Sequence, residues 1–354
     1  MKNFKDISWQ VDEPTYRKDE ALSYSTLQRF DREGFKNLDT LFEKQDSPSL
    51  LFGSCVDTIL TDGQKAFDDN FVVSSAYAEP SIMEVVQDIF NQWGNQYTSI
   101  YDIPDVAIDT IIEAHKYQPR WLPKTKRDKI RDNGKDYFIM LHRAKGKRIV
   151  PQPMYEKVFA CVKALKESEQ TKYLFQENTP FDNIERHWQL KFKGELDTLN
   201  TGKSIKLRSM ADLITVDYKN KIIRPYDLKT TSKSEYEFWK SFFEYRYHFQ
   251  ARLYWRLIRQ TMDRDEDFKD FKLDDYCFIV VSQDNPNPML WRFGGTKEEG
   301  LLKITTKENA EYYMRDPEEV AAELLGYLKN HPKVPIGLNE KEENSIEEYM
   351  RQYV

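Results

Sequence analysis

The stretch Met210-Ala-Asp-Leu-Ile-Thr-Val-Asp-Tyr-Lys-Asn-Lys-Ile-Ile-Arg-Pro-Tyr-Asp-Leu-Lys-Thr230 decides the fold. Two runs rich in aliphatic and β-branched residues flank the polar segment 218–221, the signature of a β-hairpin. A symmetric turn that pairs Asp217 with Ile222 carries Asp212 opposite Asp227. Residues so opposed have Cβ atoms roughly 4.5–5.5 Å apart. Lys229 lies two residues beyond Asp227 and therefore faces the same side of the sheet. Met210, Ile214, Val216 and Ile223 are expected on that side as core. Two carboxylates on an apolar face repel and resist ionisation unless a cation lies between them. A divalent metal with oxygen ligands resolves the conflict, and so does an ordinary hairpin in which Lys229 neutralises one aspartate. Pro225 cannot donate to a ladder, so the third strand is expected to be an edge there or to carry a bulge.

Asp212 followed by Asp227-Leu-Lys229 resembles the D…(D/E)xK signature of the PD-(D/E)xK nucleases. The run Tyr226-Asp-Leu-Lys-Thr-Thr231, followed by Glu244-Tyr-Arg-Tyr-His-Phe-Gln-Ala-Arg-Leu-Tyr254, is similar to the RecE-type exonucleases (exonuclease VIII) and their phage relatives. The close match covers roughly residues 184–258, with weaker similarity over 22–62. The resemblance implies an α/β fold, a restriction-endonuclease-like core with a short mixed sheet flanked by helices. It implies Mg²⁺, with Mn²⁺ as a substitute, held by Asp57, Asp212, Asp227 and the Leu228 carbonyl. Lys229 is the catalytic ammonium, and Gln250 and Tyr254 form the family's Q-x-x-x-Y pair beside the metal. Position 57 departs from the family's histidine form, since the motif reads Gly53-Ser-Cys-Val-Asp57; an acid there is a harder ligand, suited to Mg²⁺. Glu185 corresponds loosely to a family glutamate. The implied activity is 5′→3′ exonucleolytic digestion of linear double-stranded DNA, leaving 3′ single strands for an annealing recombinase in phage-type recombination. A ring-forming homo-oligomer is expected by the same resemblance. A structure-specific endonuclease and a non-catalytic DNA-binding scaffold remain the alternatives.

The chain has 354 residues, 40% hydrophobic and 14% aromatic, enough to bury a sizeable core, and a mean hydropathy of −0.75. No long apolar run or targeting pattern is evident, and three scattered cysteines fit a reducing cytoplasm. No Walker A motif, GxSxG elbow or HExxH occurs. The net charge of −6 argues against a nucleic-acid binder until its distribution is considered. Between Lys116 and Arg148 twelve lysines and arginines stand against three aspartates, a block of +9. Lys124, Lys126, Arg127 and Lys129, joined by Arg246, are the expected phosphate contacts. Tyr117, Trp121, Tyr137 and Phe138 are interleaved, either to stack on bases or to pack beneath the patch.

In chain order, 1–20 reads as an irregular leader. A helix follows, with Ser25 and Gln28 as a capping box. Ser47 caps a second helix, started by Pro48 and apolar nearly all round over 50–60. Residues 62–182 read as a largely helical insertion in one nuclease domain. Strands are expected at 185–199, 205–216, 222–229, 276–282 and 290–293, with Glu195 and Asp197 as surface residues. One long helix is expected over 235–260, with Phe243, Tyr247, Gln250, Tyr254 and Leu257 on one stripe. An amphipathic helix at 317–329 and an acidic tail, 337–354, close the chain.

Overall fold

The hairpin forms because its turn is held from within. Asp217 accepts from the Asn220 amide at 3.0 Å and from Asn220 Nδ2 at 2.8 Å, and Lys221 takes the left-handed conformation (φ 52°). The ladder runs from Asp217↔Ile222 to Leu213↔Tyr226, the register expected from the sequence.

The computed structural model describes residues 2–38, 41–43, 45–75, 78–179, 183–197, 204–305 and 311–330. They fall into two compact units, Ser47–Val162 and the remainder on either side of it. The helices are α1 (Glu13–Lys18), α2 (Tyr24–Glu33), α3 (Pro48–Thr61), α4 (Gly63–Asn70), α5 (Pro80–Trp93), α6 (Asp105–Ala114), α7 (Pro123–Ala144), α8 (Gln152–Glu167), α9 (Phe238–Glu244), α10 (Tyr247–Asp263) and α11 (Pro317–Asn330). The strands are β1 (Leu22–Ser23), β2 (Phe71–Ser74), β3 (Arg148–Pro151), β4 (Ile184–Asp197), β5 (Ser204–Asp217), β6 (Ile222–Thr231), β7 (Lys272–Leu273), β8 (Cys277–Ser282), β9 (Met289–Arg292), β10 (Leu302–Thr305) and β11 (Glu311–Met314). The fold is mixed α/β. The expected turn at 200–203 and the tail 337–354 lie outside the described residues.

In the first unit, β1, β5, β6, β8 and β9 follow one another in a seven-stranded sheet, with β4 on β5 and β7 on β6. β4, β5 and β6 are antiparallel, whereas β1 on β5 and β8 on β6 are parallel. β6 is therefore central, not the edge that Pro225 suggested. The proline falls between the two places where β6 is paired on its far side: Ile222 and Ile223 with β7, Tyr226 onward with β8. A missing N–H is tolerated at that interruption without a change of register.

The pleat changes phase at Asp212. The apolar residues of β5 that enter the core are odd-numbered before it (Ile205, Leu207, Ala211) and even-numbered after it (Ile214, Val216). Met210, half-buried, is consequently not on the side of Ile214. The ladder to β4 keeps its register on both sides, Trp188↔Leu213 and Leu190↔Ala211, and Gln189 between them takes φ +52°. A non-glycine residue in that region costs roughly 1–3 kcal/mol. On its other edge β5 loses β6 after Leu213 and gains β1 only at Arg208. Asp212 therefore sits in a fork between two strands.

Helices α2, α10 and α11 contribute Leu27, Phe30, Phe249, Leu253, Leu257, Val320 and Leu324 to the core that contains Ile214, Val216 and Ile223. The leading residues belong to this core as well. Phe4 is fully buried, edge-on to Phe268 at 5.1 Å, and Tyr16 on α1 is buried, so the segment is not an irregular leader. The cap of α2 is Ser23, two residues before the expected Ser25, and its hydroxyl lies 2.9 Å from Ser25 Oγ. The expected helix over 235–260 is broken. Arg246 takes φ 53° between α9 and α10, which removes Phe243 from the stripe of Gln250 and Tyr254.

The second unit begins at α3, earlier than the insertion expected from residue 62. Ser47 caps α3 by accepting from the Leu50 amide at 3.2 Å. Phe52, Cys55, Val56 and Ile59 are buried, but Leu50 is 49% exposed, so α3 buries one side, not its whole circumference. Helices α5, α6 and α7 pack around Ile82, Val86, Ile89, Ile108, Ile112, Ile130 and Phe138. β2 and β3 form a parallel pair that the helical reading of 62–182 did not anticipate.

α10 passes close over β4 because Gly194 carries no side chain. A Cβ there would meet Gln260 Oε1 at 2.2 Å and Leu257 Cδ2 at 2.9 Å. Gly194→Ala should therefore destabilise the first unit by about 1–3 kcal/mol, the usual cost of overpacking. Urea denaturation measures it, and an unchanged midpoint would show that α10 is free to rise.

Candidate functional site

The hairpin register places Asp227 in the middle of β6, beside Phe278 of β8, and Lys229 beside Val280. Phe278 and Val280 are core residues, so the acid and the ammonium are aimed into the apolar layer beneath α10. Asp227 is 1% exposed. A lone carboxylate so buried would be neutral, which makes its partners the substance of the site. The Lys229 ammonium contacts Asp227 Oδ2 and lies 4.7 Å from the centre of the Tyr247 ring. Gln250, one turn along α10, donates from Nε2 to Asp227 Oδ1. Burial acts to push the Lys229 pKa down, but the negative charges of Asp227, then Tyr247 and Asp212 as potential anions, outweigh it and hold the ammonium above its ordinary value. Lys229 therefore stays charged at neutral pH.

Asp212 reaches the same place from the fork in β5. Its Oδ2 accepts from the Leu228 amide at 2.8 Å, between Asp227 and Lys229 of β6. The carboxylate takes over where the β5–β6 ladder stops. The structure thus brings Asp212, Asp227, Leu228, Lys229, Gln250 and Tyr254 into one part of the first unit.

Sequence reasoning placed Tyr247 and Tyr254 but missed the Tyr24 and Tyr276 rings beside them. Tyr254 meets Tyr276 edge-on at 6.1 Å, and Tyr24 lies 6.2 Å from Tyr247. Burial, reinforced by nearby Tyr247 and Asp227 for Tyr24, by Tyr16, Asp227 and Asp212 for Tyr254, and by Asp227, Tyr254 and Asp212 for Tyr276, pushes all three phenols well above their ordinary range. They remain neutral. Tyr276 carries no motif, and only the β6–β8 pairing reveals its neighbourhood.

Asp57 is half-buried on α3, in the second unit. Glu185, paired with Val216, accepts from Asn3 at 3.1 Å and from the Tyr218 hydroxyl at 2.9 Å. Glu195 and Asp197 are exposed, as expected. Arg246 is not free for phosphate, because its Nε donates to Asp31 at 2.7 Å and Nη1 to the Phe243 carbonyl at 2.7 Å.

The basic block changes most. Lys126 is 3% exposed and paired with Glu113; Arg127 pairs with Asp109 and, at 3.0 Å, with Asp105. Arg131 also holds Asp105, at 2.9 Å. The acids come from α6, just before the stretch counted as basic. Lys126 and Arg127 are thus internal cations of the second unit, whereas Lys124 is exposed and Lys129 half-buried. Tyr117, Tyr137 and Phe138 pack beneath, and of the four aromatics Trp121 alone is exposed, at 41%.

A divalent cation is tested against the donor set. Among the described residues no group of three His, Cys, Asp or Glu side chains converges. Asp212 and Asp227 lie on neighbouring strands, Asp212 on the Leu228 amide and Asp227 Oδ2 paired with Lys229, and Gln250 Oε1 has no hydrogen-bond partner. The Gln250 orientation follows from chemistry, because its amide nitrogen must face the carboxylate, leaving the oxygen turned away. Hard carboxylate oxygens are the donors that Mg²⁺ or Mn²⁺ takes.

No family model matches the chain, and no curated protein matches it. Among solved structures it is similar to the one described as the crystal structure of SSO0001, at 13% identity over 80% of this chain and 87% of that one, with a TM-score of 0.23, a likeness too low to carry a fold argument. No helix of the described residues is long and apolar enough to cross a membrane.

His248, two residues before Gln250, is 1% exposed, and neither ring nitrogen has a hydrogen-bond partner. Burial first, then Arg252 and Arg246, pushes its pKa well below the ordinary value. The unfolded chain binds a proton near pH 6.5 that the folded chain refuses, so stability is lost as the pH falls from about 6.5, at up to about 1.4 kcal/mol per pH unit. In His248→Leu that part of the slope should vanish, as followed by denaturation between pH 7 and 5. An unchanged slope would assign it to other groups.

Proposed function

We propose that the chain is a metal-dependent deoxyribonuclease with a PD-(D/E)xK-type core. The observation that carries this reading is Asp212 bonded to the Leu228 amide between Asp227 and Lys229, with Lys229 paired to Asp227 and Gln250 bonded to Asp227 from α10. Asp212 and Asp227 would hold the cation, with the Leu228 carbonyl as the further oxygen that the motif implies. A hard cation there supplies Lewis-acid polarisation of a phosphate and a more acidic water. Lys229, permanently charged, is suited to orient that water and to stabilise charge growing on the phosphate, not to act as a base. Gln250 keeps the Asp227 carboxylate from rotating. Tyr247 and Tyr254 limit water around Lys229 and Asp227, which strengthens these interactions.

By resemblance the enzyme is an exonuclease acting 5′→3′ on linear double-stranded DNA, a ring-forming oligomer that passes its 3′ strands to an annealing recombinase. Incubation of linear and closed circular DNA with Mg²⁺ tests it. The linear form should be digested and the circle spared; nicking of the circle indicates an endonuclease, and inertness toward both indicates a scaffold. Lys229→Ala should lower the rate by about 10²–10³-fold, the usual effect of removing one such donor. DNA binding in EDTA should persist, and full activity in the variant would refute the assignment.

Lys124 and Lys129 are the better phosphate contacts in the basic block. Replacing both with Ala should flatten the salt dependence of DNA binding by about two units of log–log slope. Replacing Lys126 should chiefly lower the melting temperature. Binding that follows Lys126 and ignores Lys124 and Lys129 would reverse the distinction.

A further inference from the structure

Tyr276 precedes β8 by one residue and is fully buried. It belongs to the same core as Phe278, two residues on, which pairs with Asp227. Period-two alternation puts the Tyr276 ring on the side of the sheet that Asp227 faces. The ring meets Tyr254 edge-on. Its hydroxyl has no hydrogen-bond partner among the protein's groups. Buried phenols ordinarily find one, because leaving a polar group unsatisfied costs about 1–3 kcal/mol. The backbone of Tyr276 is well satisfied: its amide donates to Thr296 Oγ1 at 3.2 Å and its carbonyl accepts from the Phe293 amide at 3.0 Å. The position is thus fixed while the hydroxyl is left without a protein acceptor. Asp227 and Asp212 are among the charges that act on it most.

Two buried polar atoms of one neighbourhood therefore lack a hydrogen bond, the Gln250 Oε1 acceptor and the Tyr276 hydroxyl, a donor, while Asp227 Oδ2 beside them is paired with Lys229. An apolar phenylalanine would fill the same space without the penalty. We propose that Tyr276 is a positioning residue of the cation site, its hydroxyl serving the outer coordination sphere by donating to a carboxylate oxygen or water that the bound cation orients. The inference rests on the metal-dependent reading above. It adds a residue from outside the D…DxK and Q-x-x-x-Y segments. Hydrogen-bond donors of this outer kind typically contribute 10–100-fold to metal affinity.

The test is Tyr276→Phe, followed by thermal unfolding in EDTA and by Mn²⁺ titration calorimetry without DNA. In EDTA the variant should melt at or above the wild-type temperature, because no bond is lost. Its Mn²⁺ affinity should fall roughly 10- to 100-fold, with Asp227→Asn as the reference for loss of a carboxylate ligand. A variant that melts several degrees lower in EDTA and binds Mn²⁺ like wild type would make the hydroxyl a structural bond and overturn the proposal. A wild type that binds Mn²⁺ alongside an equally competent variant removes Tyr276 alone. A wild type that binds none overturns the cation reading itself, and the Tyr276 role with it.

Discussion

A carboxylate buried as deeply as Asp227 must be compensated, and much of the first unit answers that demand. β6 supplies Lys229 two residues away on the same side. α10 supplies Gln250, and its Leu257 and Gln260 side chains fill the space that Gly194 leaves open on β4. The start of α10 is set by the break at Arg246, and that arginine is held by Asp31 of α2. Asp31 in turn binds Arg315 at 3.1 Å, which also pairs with Glu323 of α11. A single buried charge on the central strand is thus coupled to helices from both ends of the chain. These ion pairs contribute more to geometry than to net stability, because desolvation offsets most of their attraction.

The second unit shows the opposite use of charge. Three of its cations on α7, Lys126, Arg127 and Arg131, are matched by acids one helix earlier, so part of a strongly basic stretch of sequence becomes a helix–helix seam. Close packing reinforces the seam's neighbour: Gly134 brings α7 against α5, where a Cβ would meet Val86 Cγ2 at 2.4 Å.

What was legible in the sequence followed from local rules. A polar turn between two aliphatic runs set the pairing of Asp217 with Ile222, and the ladder as far as Leu213↔Tyr226 followed from that register. What was not legible depended on distant partners. Period-two reasoning assumes an unbroken pleat, so it could not show that Gln189 reverses the phase beside Asp212. Helical spacing could not show a break at Arg246, because the left-handed residue there is stabilised by Asp31, more than two hundred positions away. The charge count failed for a simpler reason: it stopped at Lys116, while Asp105, Asp109 and Glu113 lie just before it. Tyr276 was invisible because strand β8 is a plain apolar run, and only its parallel pairing reveals which neighbours it has.

Arg252 has a consequence for how the chain comes into being. Its guanidinium is entirely enclosed and is held by the carbonyls of Glu298, Gly300 and Arg315 and by Asp316. None of these exists when a ribosome has just completed α10. Until they emerge, the guanidinium on the helix that carries Gln250 is left to water. The enclosure of Arg252 is therefore among the last contacts the chain can make, completed only after residue 316 has been synthesised, long after Asp212, Asp227 and Lys229.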